Sequence, residues 1–411
     1  MALSDRSAAV PPDDAATPNE SSHPVASLPD AAEHPREWPI PRSLYVHVPF
    51  CRHRCGYCNF SVLPGRLELA DPFLDALAIE LQTHPAPAPV DTRFIGGGTP
   101  TRLPPRQLDR LFDLLDDRFP LTAGGECTAE ANPEDITPEL LRQLADRGVN
   151  RISLGIQSFS TDKLRLLQRS HDRRSACRAI ELAAERIGNV SIDLIFAAPG
   201  ETPESWRRDL EQSLALPIQH LSTYSLTFEK GTQFWNRRLR GELCEVDEAD
   251  DLQMYQDARR CTAEAGWEHY EISNFARDGS RCVHNLAYWQ GRGWYAIGPG
   301  AARFVGGRRE VNHRSPTTYI AKLRRGESPI AESEAITPRQ WACERAAFGI
   351  RLLGGVDLEQ IGQETGISII ELKRAELARC HDRGWIEISG THHRLTEAGL
   401  LMADSVASEL L

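Results

Sequence analysis

Between Arg42 and Phe228 short β-type runs alternate with amphipathic helical stretches, and no other feature of the chain restricts its fold so strongly. The β-type runs fall at residues 43–48, 92–95, 127–131, 151–157, 191–196 and 221–228. Apolar residues recur at helical spacing over 72–82, 105–117, 138–147, 174–186 and 204–214. Several of these stretches open on proline, whose fixed φ and missing N–H suit the first turn of a helix. Strand followed by helix, repeated, predicts βαβ units and a parallel sheet. Six strands at roughly thirty-residue spacing are too few for a closed eight-stranded barrel, so the expected fold is α/β, a curved, open partial barrel. Functional residues of such a fold belong at the carboxyl ends of its strands.

The alternation weakens after Glu229. Residues 247–266 read as one long amphipathic helix, and 270–305 are rich in aromatic residues and glycine. Near residue 337 a new pattern begins: three helices, a short hairpin at 385–388 and 393–395, and a closing helix. That is the order of a small winged-helix-like module, and its balanced charge favours a docking or lid role over DNA binding. The expected organisation is a Pro-rich acidic tail at 1–40, the partial barrel at 41–230, an α+β extension at 231–330 and the winged-helix-like domain at 331–411. The tail carries seven prolines and one aromatic residue, too little apolar surface to offset the entropy of ordering it, so disorder is expected. With seven acidic and two basic residues it holds −5 of the net −11.

Composition excludes several classes of function. No run of about 18 apolar residues exists to cross a membrane, and the amino end lacks the apolar stretch of a secretory signal. Peripheral membrane contact stays open. An acidic chain without basic runs is a poor nucleic-acid binder. The expected location is cytoplasmic, where thiols stay reduced.

Seven of the ten cysteines lie at least 17 residues from one another, whereas Cys51, Cys55 and Cys58 form a CX3CX2C run just past the first expected strand. Three thiolates on one loop can hold three corners of a cubane iron–sulfur cluster, which ordinarily takes four cysteines. The fourth iron then keeps an open site for a ligand. A structural zinc site, completed by His47 or His53, is the alternative. The odd count and the reducing compartment exclude disulfides.

The CX3CX2C run after a first strand, with an aromatic residue before the last cysteine, resembles the radical S-adenosylmethionine (SAM) family. The resemblance implies a partial (β/α)6 barrel, a [4Fe-4S] cluster on Cys51, Cys55 and Cys58, and SAM chelated at the open iron. A reduced cluster would then break a C–S bond of SAM to give a 5′-deoxyadenosyl radical. Each expected strand end supplies a matching residue. Gly97, Gly98 and Thr99 sit in GGGTP after the second strand, where glycines let a ligand approach the backbone. Glu130, Gln157 and Asp193 are polar groups at the ends of, or within, apolar strands, costly there without partners. In the family these positions face SAM, as does an arginine matching Arg169; Tyr45 and Tyr57 would pack on the cluster or cofactor.

The span from about residue 42 to 411 further resembles the group that holds oxygen-independent coproporphyrinogen III oxidases and HemW-type haem chaperones. The matching phrases are LYVHVPFC at 44–51, FIGGGTP at 94–100, NRISLGIQSF at 150–159 and HNLAYW at 284–289. Oxidases carry a further cysteine two places after the third. This chain has Asn59 and Phe60 there, and its His284-Asn285-X-X-Tyr288-Trp289 matches the chaperone signature. The resemblance implies haem as bound cargo, delivered to apo-haemoproteins such as respiratory enzymes. Radical decarboxylation of a porphyrinogen is the alternative. His284 is the candidate haem ligand, with Cys282 a second, and Tyr288 and Trp289 an apolar wall. The alternative is that His284 and Asn285 tie loops together and that Tyr288 and Trp289 are core. Where the group usually shows GXGA followed by His, this chain has Ala302, which cannot ligate.

Overall fold

The structure, a computed structural model, describes residues 37–84 and 87–411. The expected disorder of the tail therefore falls almost wholly on residues outside the described ones. Trp38, assigned to the tail by sequence, packs at 5.9 Å from Phe304 and 5.1 Å from Trp341, ring centre to ring centre.

The first strand is β1 (Ser43–Val48), followed by the two-residue strands β2 (Phe50–Cys51) and β3 (Leu63–Pro64), which pair with each other. Then come β4 (Val90–Gly97), β5 (Leu121–Ala131), β6 (Arg151–Gln157), β7 (Asn189–Phe196) and β8 (His220–Ser225). Strands β1, β4, β5, β6, β7 and β8 pair in that order, all parallel. They are the six strands expected from sequence, except that the last leaves the sheet at Ser225, not Phe228.

The α+β extension lengthens this six-stranded sheet at both edges. Strand β10 (Asn274–Ala276) adds antiparallel to β8, β9 (Glu268–Glu271) adds to β10, and β11 (Tyr295–Ile297) runs parallel beside β1. The sheet thus has nine strands. The added strands are three or four residues long, too short to show a period, and exist because an edge offers them hydrogen bonds.

Helices cover the convex face. They are α1 (Ala70–Gln82), α2 (Pro105–Arg118), α3 (Pro138–Asp146), the unforeseen α4 (Thr161–Leu166), α5 (Arg173–Arg186) and α6 (Pro203–Leu214). Thr137 and Thr202 cap α3 and α6, each directly before a proline at the first helical position. Alternate strand residues such as Leu44, Val46, Ile152, Leu154, Ile192 and Leu194 are sealed beneath these helices. Because side chains alternate along a strand, the residues between them turn to the concave face. Tyr45, Phe94, Glu130, Arg151, Ser153 and Asp193 border cavities there.

Beyond the barrel lie α7 (Gln233–Leu239), α8 (Glu248–Glu264), α9 (Val283–Trp289) and a three-stranded sheet of β12 (Ala302–Val305), β13 (Arg308–Asn312) and β14 (Ile330–Ala335), with α10 (Pro316–Arg324) between the last two. Glu80 of α1 ties this region to the barrel. Its fully buried carboxylate accepts from the Gly298 N–H (2.9 Å), Asn312 Nδ2 (2.6 Å) and the Tyr319 hydroxyl.

The C-terminal part has its own core, from Ala342 to Leu410. Four helices, at Pro338–Gly349, Leu358–Thr365, Ile369–Leu372 and Arg374–Asp382, precede the hairpin where three were expected. The hairpin of Ile386–Ser389 and His392–Leu395 gains Val356–Asp357 as a third strand, completing the winged-helix-like form.

Replacing Glu80 with Ala strands three buried donors and is expected to cost about 3 kcal/mol in denaturant unfolding. Glu80→Gln, which keeps an acceptor, is expected to cost about half as much.

Candidate cofactor site at the mouth of the barrel

The loop that follows β1 carries all three clustered cysteines to one wall of a cavity of about 770 Å³. Hydrogen bonds from distant segments hold it. Phe234 N–H of α7 donates to Gly56 O (2.9 Å), Arg314 donates to Asn59 O (2.7 Å), and His53 Nε2 pairs with Gln168 O (2.6 Å). His47 Nε2 lies 2.8 Å from Ser61 O. A side chain at Gly56 would strike the Phe234 ring at 2.7 Å, so glycine lets the loop press on α7.

Burial pushes the Cys51 thiol up to about 11 and raises that of Cys58, the neighbouring thiols adding to both. A metal taken up here must displace protons. Arg169 supplies a cationic contact, its guanidinium 3.7 Å from Cys55 Sγ. The same group donates to Gly155 O (2.7 Å) and to Asn132 Oδ1, yet its Nε has no partner.

Across the cavity stand the other residues singled out by sequence. Gly97 has φ +102°, and a Cβ there would collide with the His47 ring. Its N–H donates to Glu130 Oε2 (2.9 Å). At Gly98 a Cβ would come within 2.7 Å of Phe50 O. Thr99 Oγ1 lies 3.7 Å from Cys51 Sγ and accepts from Asn132 Nδ2 (2.8 Å). Burial, reinforced by the charge of Asp193, pushes the Glu130 carboxyl up to about 7. Asp193, also raised by burial, accepts from Ser153 Oγ at 3.3 Å. Gln157, Arg169 and Tyr57 border the same cavity, and Tyr57 packs edge-on against Phe234. Tyr45 is the exception. It lines a deeper chamber instead, its hydroxyl 3.0 Å from His47 Nδ1.

Sequence reasoning missed Asn132, which joins Thr99 to Arg169, and the strained backbone around the rim. Gln157, Gln168 and Ala197 have φ of 65°, 58° and 56°, and these are the non-glycine residues with positive φ among those described. Such residues cost about 1–3 kcal/mol each and gather where a site fixes the backbone. The Asn-Pro pair at 132–133 was the available signal for the first; nothing in sequence marks the others.

The residues fit a thiolate-bound iron cluster with a polar ligand. Three thiols, an incompletely paired guanidinium and two half-buried carboxyls surround one cavity. They fit a single zinc ion poorly. Both ring nitrogens of His47 are engaged, His53 Nε2 is given to a backbone carbonyl, and among the described residues no three such side chains converge on one point.

The structure places His284 and Cys282, the candidate haem ligands, in the packed base of the barrel. His284 is 1% exposed, with Nδ1 2.8 Å from Thr92 Oγ1 and Nε2 2.8 Å from the Tyr288 hydroxyl, and its ring stacks on Phe94. Burial lowers its pKa to about 3, so it is neutral. Cys282 is fully buried beside Glu126, its thiol pushed up to about 12 by burial. Glu126 also accepts from the Val283 and His284 N–H groups, so it caps α9. Helix α9 thus plugs the barrel from below. Tyr288 completes the plug, and Trp289 packs under the Arg351 guanidinium rather than offering a free wall. Ala302 borders the deeper chamber.

The radical SAM superfamily matches residues 45–212, and the HemN C-terminal domain matches residues 336–402. The heme chaperone HemW of Mycobacterium tuberculosis (strain CDC 1551 / Oshkosh) is 36% identical over 380 residues, 90% of this chain and 95% of that protein. The heme chaperone HemW of Bacillus subtilis (strain 168) is 33% identical over 376 residues, 90% of this chain and 99% of that protein. Coproporphyrinogen III oxidase (HemN) from Escherichia coli, a radical SAM enzyme of known structure, superposes with a TM-score of 0.80 at 23% identity. The match covers 92% of this chain and 91% of that one, and speaks for the fold alone.

Glu130 holds its proton well above the ordinary carboxylate range, so its burial lowers stability as pH rises from the unfolded value toward about 7. Without cofactors, Glu130→Gln is expected to be more stable than wild type by about 1–2 kcal/mol at about pH 8 and equal to it near pH 4, read from thermal melts at both.

Proposed function

The chain belongs to the family of the heme chaperone HemW, within the radical SAM superfamily, and on that premise we propose that it binds haem and passes it to apo-haemoproteins. In this reading Cys51, Cys55 and Cys58 hold a [4Fe-4S] cluster and SAM sits beside it. The observation that carries the reading is the three-thiol cavity itself. Arg169 with its unpartnered Nε stands by the thiols, and Glu130 and Asp193 stand opposite. When bound and reduced, the cluster supplies an electron that can cleave SAM.

The protein's own groups divide the binding work. Arg169 suits the carboxylate of SAM, a fork geometry made for that partner. The Gly97–Gly98 backbone lets the ligand approach where a Cβ would not. Glu130 and Asp193 offer acceptors to the ammonium and ribose hydroxyls. Tyr57, packed on Phe234, shields the thiols from water.

Phe60 supports the chaperone over the oxidase. It stands where the oxidases carry a further cysteine, and its ring is 62% exposed beside Cys58, an apolar surface at the mouth. All ten cysteines are free, and among the described residues no helix is long and apolar enough to cross a membrane. Free thiols suit a reducing setting.

Anaerobic full-length protein is expected to bind haem with a shift of its visible spectrum and to release no vinyl product from coproporphyrinogen III. Vinyl product without haem retention would replace this reading with the oxidase. Cys55→Ala is expected to lose the brown colour and most of the bound iron. A variant that stays iron-replete would overturn the ligand assignment.

A further inference from the structure

Below the cofactor cavity lies a second chamber of about 460 Å³, sharing Glu130, Ser153, Asp193 and Tyr224 with it as a common wall. Arg151, which opens β6, borders this inner chamber. Its side chain is 2% exposed and makes no ion pair and no hydrogen bond among the described residues, and its Nε is sealed without a partner. Glu126 and Asp193 act on it only through space. The other deeply buried arginines differ. Arg93 donates to Phe119 O and Asp116, and Arg351 to Asp404. An unpaired guanidinium inside a protein is costly unless something else completes it.

We propose that the inner chamber is a binding site for a carboxylate carried on a flat, conjugated body, with Arg151 as its anchor. The planar fork of a guanidinium accepts a carboxylate through two parallel hydrogen bonds. The walls set the rest of the ligand. Tyr45, Phe94, Tyr224, Tyr288 and Trp294 present aromatic surface, which suits a flat conjugated partner. A phosphate fits less well. Arg151 is the single cationic side chain on the chamber wall and the N-terminus of α9 is already capped by Glu126, so a dianion would meet one positive charge only.

The inference deepens the proposed function, on which it rests for one of two sources of this chemistry, the propionate of haem. The other source is a small aromatic acid. The test compares haem, its dimethyl ester and 2-naphthoate on the full-length, cluster-loaded protein, using wild type, Arg151→Gln and Arg151→Lys. Wild type is expected to bind haem at least tenfold more tightly than the diester. Arg151→Gln should erase that preference while leaving diester affinity unchanged, and Arg151→Lys should retain part of it. The comparison within wild type needs no variant, so a poorly folding Arg151→Gln does not spoil it. Equal binding of haem and diester by wild type, or equal weakening of both in a folded Arg151→Gln, overturns the anchor. If wild type binds neither porphyrin, the chaperone reading fails. Naphthoate binding that is lost in Arg151→Gln would then still uphold the carboxylate site, and its absence would remove it.

Discussion

A parallel sheet sealed by helices on one face leaves only the other face for polar side chains, and the remaining features of this protein follow from that constraint. Along β5, β6 and β7 the apolar residues Ala129, Leu154 and Ile192 go beneath the helices. Glu130, Ser153 and Asp193, one residue on or back, are forced together on the concave side. Burial, with the charge of Asp193 added to it, is why Glu130 holds a proton to about 7, and burial raises Asp193 as well. Packing the outside of the barrel and loading its inside with ionisable groups are one event.

The site is closed at both ends by segments from far along the chain. Above, the cysteine loop is pinned by α7, Arg314 and the carbonyl of Gln168. Below, α9 inserts His284 between Thr92 and Tyr288 and leans its N–H groups on Glu126. Strain is confined to the upper rim, where Gln157, Gln168 and Ala197 hold positive φ. The lower plug reaches its position with ordinary backbone, and its histidine is a packed, neutral hydrogen-bonding group.

Much of this was legible in the sequence, for reasons that differ by element. The six barrel strands are runs of β-branched and aliphatic residues with proline-led helices between them, so period and punctuation agree. The three clustered cysteines and the residues at the strand ends announce themselves by being polar or reactive where apolar residues are the rule. Strands β9, β10 and β11 were illegible because they are made by their neighbours and not by their own residues. The meaning of His284 was illegible because Thr92 lies 192 residues away. A histidine within a family signature invites a ligand role, and only the fold shows that both of its nitrogens are taken. Arg151 was the reverse case. A charge at the head of an apolar run was plain to see, but its lack of a partner needed the structure.

The central claim is that three thiolates hold a cluster whose remaining iron is open to SAM. Mössbauer spectroscopy of the iron-57-loaded protein, with and without SAM, reads this directly. The account predicts a [4Fe-4S] signal in which one iron of the four changes its isomer shift when SAM is added. Four irons that stay indistinguishable with and without SAM, or a protein that takes up zinc and no cluster, would contradict it.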